Sequence, residues 1–414
     1  MSDRLSPPRC RFCGAALTTT FVDLGKTPLA NSYLDKIEDA ANERRYPLHA
    51  RVCAECFLVQ VDDVETPEAI FSDYAYFSSF AASWVEHAGR YAEATTARFR
   101  LGSQSLVVEI ASNDGYLLQH FQAAGIPVLG VEPAANVAQA AIAKGVPTEV
   151  AFFGRATAEA LAARGFRADL MAANNVLAHV PDIRDFVAGF ALLLKSDGVA
   201  TFEFPHLFNL IRETQFDTIY HEHFSYLSLV AVEAIFAATG LRAFDVEEIP
   251  THGGSLRLYA CREEAMHGET ERLMALRMKE HEAGLESLAA YRGFAPRVEA
   301  VKRSFHAFLA KARAEGKTVT AYGAAAKGNT FLNVCGVTRR DIAFVFDRST
   351  AKQGKLLPGS HIPILAPERI GEIKPDYLVV LPWNLIDEIK TDMAAIAQWG
   401  GRFVVAVPET RVLP

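Results

Sequence analysis

Long apolar runs are absent: nothing in the 414 residues approaches the ~20 consecutive apolar positions of a membrane-spanning helix. The opening MSDRLSPPRC also lacks the apolar stretch of a secretory leader, so the expected address is the cytoplasm, without a membrane partner. Strong charge of one sign is missing too. Forty-two Lys/Arg against 49 Asp/Glu leave a net charge of −7, which speaks against nucleic acid as a partner. Cysteine is sparse, with six in all, and four of these fall into two C-x-x-C pairs. In a reducing compartment such pairs point to metal rather than disulfides, while the solitary Cys261 and Cys335 read as small buried hydrophobes. Hydrophobic residues are plentiful at 50%, enough to core two or three domains.

Glycine is scarce where a dinucleotide site would need it. The stretch LVVEIASNDGYLLQHFQAAGIPVLGVEP, residues Leu106 to Pro133, reads as one βαβ unit of an open parallel sheet. A strand (Leu106 to Ile110), a tight loop (Ala111 to Gly115), a helix (Tyr116 to Ala124) and a second strand (Val128 to Val131) follow in turn. Glu109 and Glu132 close the two strands. A pyrophosphate needs G-x-G-x-x-G so that it can approach bare backbone. This loop has glycine only at its last place, and Asp114 would repel a phosphate. S-adenosylmethionine, with a ribose and no phosphate, fits better, with Glu132 placed to accept ribose hydroxyls. The alternative is an ordinary βαβ unit without a ligand.

Cys10-Arg-Phe-Cys13 and Cys53-Ala-Glu-Cys56 are each followed by a strand-like run, Phe21 to Leu24 and Phe57 to Val61. Two such knuckles make a closed zinc site of four thiolates, which leaves no open coordination position and is therefore structural. The segment from Asn31 to Pro47 is expected to loop out. Eight Lys/Arg and seven Asp/Glu through residue 60 make this module too neutral to grip RNA.

Aromatic and polar residues mix at Phe71 to Ser79, where Tyr74, Tyr76 and Phe77 either pack domains together or line a pocket. A helix from Ala81 to Arg98 comes next. Beyond Pro133 the pattern gives a helix at Asn136 to Lys144, strands near Thr148 to Ala151, Asp169 to Ala172 and Gly198 to Glu203, and a helix at Ile183 to Leu194. Asn174 lies where methyltransferase-like sheets meet the methionine part of the cofactor, and Phe152 is placed to cover adenine, although core packing competes for either Phe152 or Phe153. The run Tyr220-His-Glu-His-Phe-Ser-Tyr226 gathers two imidazoles, a carboxylate and two phenols, with no third ligand to make His-x-His a metal site. A helix at Leu229 to Thr239 and strands at Arg242 to Glu247 and Ser255 to Ala260 complete the domain, joined by the glycine turn Thr251 to Gly254. Glu263 to Glu315 reads as a charged amphipathic connector, either a solvated spacer or an inter-domain brace, that breaks near Gly293 to Pro296. A second α/β domain follows, with strands at Thr318 to Tyr322, Ile342 to Phe346, Tyr377 to Leu381 and Phe403 to Val407. In its loop Gly323 to Asn329, Lys327 is either a phosphate contact or a solvated lysine.

Taken together, the two knuckles, Tyr74-Ala-Tyr76-Phe-Ser, EIASNDG, Tyr220-His-Glu-His-Phe-Ser225, His252-Gly-Gly-Ser-Leu-Arg257 and YGAAAKGN resemble the sugar C-methyltransferases that act on nucleotide-linked keto-deoxysugars. The likeness covers nearly the whole chain. It implies an α/β protein with a zinc-binding module (1–70), a class I methyltransferase core of Rossmann-like form (71–262), a helical connector (263–316) and a second Rossmann-like domain (317–414) that closes over a nucleotide-sugar. The family motif makes His223 the base for the proton next to the ketone, with Glu222 orienting an imidazole or the sugar. Tyr220 and Tyr76 would donate to the enolate oxygen, and His221 would be structural. Glu109, Ala111, Asn113, Gly115, Glu132, Pro133, Phe152 and Asn174 are then expected at the cofactor. Tyr74, His252, Arg257, Lys327 and Asn329 are expected at the substrate. Competing readings are methylation of another small-molecule or macromolecular acceptor, and a non-catalytic nucleotide-binding scaffold.

Overall fold

A computed structural model describes residues 7–66, 77–80 and 82–413. Tyr74 and Tyr76 lie outside the described residues. Three antiparallel strands, β1 (Thr19–Thr27), β2 (Tyr46–Val52) and β3 (Val59–Val61), open the chain. Leu48, Ala50 and Val52 alternate inward along β2, the period-2 pattern of a strand with one cored face. The fourth strand of this sheet comes from far along the chain: Ser225–Tyr226 pairs antiparallel with β3. The end of the His/Tyr cluster is thereby stitched to the zinc-binding module.

The segment from Asn31 to Pro47 does not loop out. It clasps the C-terminal domain, where Leu34 and Leu356 exchange backbone hydrogen bonds (3.1 and 2.8 Å). Tyr33 donates to the carbonyl of Ala324 (2.6 Å), and Glu43 accepts from the Gly359 amide (2.7 Å) and faces His361 (3.1 Å). The backbone groups that a protruding loop would leave to water find partners on the other domain instead.

The central sheet contains β4 (Val107–Ile110), β5 (Val128–Val131), β6 (Thr148–Glu149), β7 (Ala168–Asn174) and β8 (Leu194–Pro205). With Ser225–Tyr226 as β9, the hairpin β10 (Leu241–Ile249) and β11 (Ser255–Arg262) completes it. The order is β10-β11-β8-β7-β4-β5-β6, parallel throughout except for β11. Every residue of β4 and β5 is buried, as continuous apolar strands are when helices cover both faces. The order reverses at β4, which lies between β5 and β7, so the loops after β4 and β7 border one crevice. Two helices were not legible in the sequence, Arg155–Ala163 and Leu207–Arg212. The first is alanine-rich and buries only Ala158 and Leu161, too few positions to mark a face.

The connector forms helices Glu271–Glu282, Ala289–Arg292 and Phe294–Ala314. The helices are separated by a longer gap at 283–288 and by a one-residue interruption at Gly293, the expected place. Pro296 sits in the first turn of the long helix, where an amide has no intrahelical acceptor to lose. That helix buries Phe294, Val298, Val301, Phe305 and Leu309 on one side. Phe294 stacks on Phe21 of β1 (4.4 Å) and Phe305 meets Phe331 edge-on (4.8 Å). The connector is thus a brace rather than a solvated spacer, and β1 to β3 share one core with the C-terminal domain.

That domain carries β12 (Val319–Tyr322), β13 (Val345–Phe346), β14 (Ile364–Leu365), β15 (Tyr377–Val380), β16 (Arg402–Val405) and β17 (Arg411–Val412). Their order is β14-β13-β12-β15-β16-β17, with only β17 antiparallel. A second switch point therefore opens between β12 and β15. No helix among the described residues is long and apolar enough to cross a membrane.

Candidate active site and zinc centre

The sulfurs of Cys10, Cys13, Cys53 and Cys56 all lie within 4.8 Å of one another, with Cys10 to Cys56 at 3.6 Å and Cys13 to Cys53 at 3.4 Å. Zinc at about 2.3 Å from each sulfur would set them roughly 3.8 Å apart, so the donor set fits the ion. Gln60 supports it from behind. Its side-chain amide donates to Cys10 Sγ (3.2 Å) while its carbonyl accepts from the Arg11 amide (2.9 Å). Gln60 is also the β3 residue paired with Ser225, so the zinc shell and the His/Tyr segment share a residue. Cys261 and Cys335 are buried apart from this cluster.

A crevice lies at the first switch point, the place where open parallel sheets bind ligands. Ala111, Asn113 and Asn175 all take left-handed backbone (φ 56°, 49° and 56°), unusual for residues other than glycine and characteristic of functional loops. Gly130 lets Ser112 pack against β5, since a Cβ there would overlap the serine hydroxyl. Both Glu132 oxygens hold backbone: Oε2 accepts from Asn113 N (2.9 Å) and Oε1 from Ala134 N (2.8 Å). Two of the four carboxylate lone-pair positions remain. Asp114 is tied to Ser79 and to Lys144 Nζ (2.9 Å), and the Asn113 side chain accepts from the Ser78 amide (2.8 Å). Glu109 is wholly buried, and burial raises its pKa well above the usual carboxylate range.

Around this crevice Glu109 Oε2, Ser112 Oγ, Asp114 Oδ1, Asn174 Oδ1 and both polar side-chain atoms of Asn175 are buried without a partner. Buried polar atoms are rarely left so, and their clustering here matches a polar ligand with ribose, amine and carboxylate groups. The loops after β4, β5 and β7 border that place. Phe153 packs edge-on against Phe186 and Phe190 in the core, whereas Phe152 is 41% exposed.

Across from it lies the His/Tyr cluster. His223 Nδ1 faces the Thr218 carbonyl (3.1 Å) and Nε2 faces the Tyr220 hydroxyl (2.7 Å). A carbonyl only accepts, so Nδ1 carries the proton and Nε2 keeps a lone pair. Burial, then neighbouring His179 and His252, push the His223 pKa well below the ordinary value. The imidazole is therefore neutral at physiological pH. His179 donates from Nδ1 to the Glu222 carbonyl (2.7 Å), and its ring lies 4.6 Å from that of His223. Burial holds His179 and His252 down to about 4 each. Glu222 receives Asn31 Nδ2 at 2.9 Å on both oxygens, and burial raises its pKa. His221 turns to the Pro47 carbonyl (3.2 Å), so the two histidines of His-x-His serve different neighbours.

His252 has φ 56° inside the glycine turn. Gly253 and Gly254 do more than permit that turn. A Cβ on Gly253 would overlap the Trp383 ring, and one on Gly254 would overlap Asn209. Lys327 is half-buried rather than freely solvated. It sits at the start of helix Ala326–Val334, donates to Asn384 Oδ1 (2.6 Å) and lies 4.8 Å from the centroid of the Trp383 ring. Two expected substrate residues are engaged within the fold. Arg257 gives both terminal nitrogens to Glu203 (2.9 Å) and Glu247 (3.0 Å), and Asn329 donates to the Ala30 carbonyl (2.6 Å).

Sequence reasoning missed Trp84, His87, His179, Glu203 and Asp217. Trp84 stacks on His87 (4.9 Å) and meets His252 edge-on (5.8 Å). His87 lies 3.2 Å from Glu203, whose pKa stays low despite burial because His87 and Arg257 flank it. Glu203 lies near the end of a parallel strand, as Glu109 and Glu132 do, a signal the sequence carries. The others come from helices and turns whose approach only the fold sets.

Residues 10–71 match a zinc binding domain family, 84–246 a methyltransferase domain family, and 250–408 the C-methyltransferase C-terminal domain family. Among solved structures, magnesium protoporphyrin IX methyltransferase (ChlM) from Synechocystis PCC 6803 with bound SAH is 16% identical. It covers 43% of this chain and 83% of its own, at a TM-score of 0.35. An S-adenosylmethionine-dependent methyltransferase from Clostridium acetobutylicum is 9% identical, covering 43% and 92%, at 0.34. Likenesses this loose add nothing to the residue-level picture. C-methyltransferase NovU from Streptomyces niveus is different: it is 38% identical over 414 residues, covering 100% of this chain and 99% of that protein. With that identity sustained from the cysteine knuckles to the last strands, the chain belongs to the zinc-containing, S-adenosylmethionine-dependent C-methyltransferases.

Proposed function

We propose that the enzyme methylates the carbon next to the ketone of a nucleotide-linked keto-deoxysugar, with His223 as the base. The observation that carries this is the His223 tautomer: Nδ1 is held by the Thr218 carbonyl, so the basic lone pair is on Nε2, in a pocket that keeps the ring neutral. An α-proton of a ketone needs such a base, since general bases work best when unprotonated at the operating pH. His223 Nε2 takes the proton, the C–H electron pair moves into the C–C bond, and charge develops on the ketone oxygen. Tyr220 hands Nε2 to the incoming C–H as substrate binds. Glu222, already anchored by Asn31, orients the sugar, and Tyr76 is assigned to the same pocket by sequence motif alone.

Bound S-adenosylmethionine supplies the methyl group. Glu109, Ala111, Asn113, Gly115, Glu132, Pro133 and Asn174 are assigned to its ribose and amino-acid ends, and Phe152 to its adenine. His252 and Tyr74 belong to the substrate side. The small-molecule acceptor is a nucleotide-sugar, with the C-terminal domain against the nucleotide. The test is NMR of candidate keto-sugar nucleotides in deuterated buffer. Wild type should exchange the α-proton without a methyl donor, and His223→Asn should lose exchange and methylation together, by about 10²–10⁴-fold. Near wild-type methylation by His223→Asn would place the base elsewhere.

A further inference from the structure

Lys327 is a half-buried ammonium without a counter-ion. No carboxylate among the described residues lies within ion-pairing distance; the ammonium donates to the neutral Asn384 amide oxygen and lies over the face of Trp383. Asn384 takes one of three N–H groups, which leaves two. Asp217, whose charge acts on it, is held by the Trp383 indole N–H (2.7 Å), and burial raises the Asp217 pKa to about 6. A half-buried charge in such surroundings is costly unless an anion completes it.

Its placement says which anion. Lys327 and Trp383–Asn384 follow β12 and β15, the two strands that flank the switch point of the second sheet. Open parallel sheets bind ligands at that place. The Trp383 ring beneath the lysine packs against the turn that carries His252. Gly253 presses the same turn against Trp383. Tyr220, by contrast, directs its hydroxyl to the base itself.

We infer that the Lys327 ammonium is a catalytic residue: it binds the ketone oxygen of the acceptor and stabilises the charge that develops there as His223 removes the α-proton. This rests on the proposed acceptor chemistry. The proton goes to His223 Nε2 and the electron pair ends on the oxygen facing Lys327, so the step needs no further reactant. Trp383 and Asn384 aim the ammonium, and Asp217 holds the indole; these three are positioning residues.

The experiment compares wild type, Lys327→Met and Asn384→Ala, the last keeping the lysine but removing the acceptor that aims it. Three quantities are read: deuterium exchange of the α-proton, kcat for methylation, and affinity for a nucleoside diphosphate without sugar. Lys327→Met should lose exchange and kcat together, by about 10²–10³-fold, as when one oxyanion donor is removed. Asn384→Ala should lose less, and both should bind nucleoside diphosphate as wild type does. Methylamine should partly restore exchange to Lys327→Ala. Unchanged exchange in Lys327→Met, or weakened nucleoside diphosphate binding with kcat retained, would overturn the assignment and leave the acceptor chemistry standing. Failure of wild type itself to exchange or methylate any keto-sugar nucleotide would overturn both.

Discussion

Glu132 and Asp347 stand in the same relation to their loops. Glu132, after β5, accepts from Asn113 in the β4 loop and from Ala134 two residues on. Asp347, after β13, accepts from Ala324 in the β12 loop (2.7 Å) and from Ser349 two residues on (2.8 Å). The two halves thus reuse one device, a carboxylate at the end of the second strand that locks the loop after the first. They differ in what covers it. Beside Asp347, Tyr33 of the clasp and Lys352 both donate to the Ala324 carbonyl.

Glu132→Gln should therefore weaken S-adenosylmethionine binding, by on the order of 1.5–3 kcal/mol for charge-assisted hydrogen bonds lost. Asp347→Asn should leave that affinity unchanged and lower only the unfolding midpoint. Isothermal calorimetry and thermal melts on the two variants separate the roles. Equal affinity in Glu132→Gln and wild type would mean the carboxylate serves the loop alone.

Zinc should be present at about one ion per chain, and Cys53→Ser should reduce soluble yield more than activity in what folds. Gln60→Leu removes the amide behind Cys10 and should cost about 10–100-fold in zinc affinity. Because β3 pairs with Ser225–Tyr226, chelation should also raise hydrogen exchange in the His/Tyr segment. Protection there that is indifferent to chelator would break the proposed coupling.

Glu280 on the connector is buried against His206 (2.6 Å) and accepts from the amides of Leu229 and Val230 (2.7 and 2.9 Å), the first turn of the helix after the cluster. Glu280→Ala leaves His206 and two helical amides unpaired. It should cost about 3–5 kcal/mol in urea unfolding. A loss below 1 kcal/mol would show that water replaces the carboxylate.

The pH–rate profile carries its own sign. His223 acts as a base only when neutral, and its folded-state pKa is pushed well below the ordinary imidazole value by burial first and by His179 next. As pH falls, activity should persist through the ordinary imidazole range near 6.5 and decline only as the lowered value is crossed. An acid limb centred at 6.5 in kcat/KM would mean that the base is a solvated group.

Local pattern determined much of this protein. Cysteine spacing named the zinc ligands, because two knuckles are each a few residues of backbone. Apolar runs ended by Glu109 and Glu132 identified the parallel unit, since strands covered on both faces are apolar throughout. The glycine-poor loop and the Tyr220 to Tyr226 run are the local patterns on which the proposed chemistry rests. What only tertiary structure decided depends on groups brought together across long stretches of chain. The clasp satisfies Tyr33 and Leu34 on a domain some 300 residues away, which no periodicity records. The extended inner face of the long connector helix became visible only once Phe21 and Phe331 were there to cover it. Lys327 looked like either a phosphate contact or a surface lysine, because its side chain is the same in each case. Its packing against Trp383 and Asn384 arises because the loops after β12 and β15 come together only in the folded sheet.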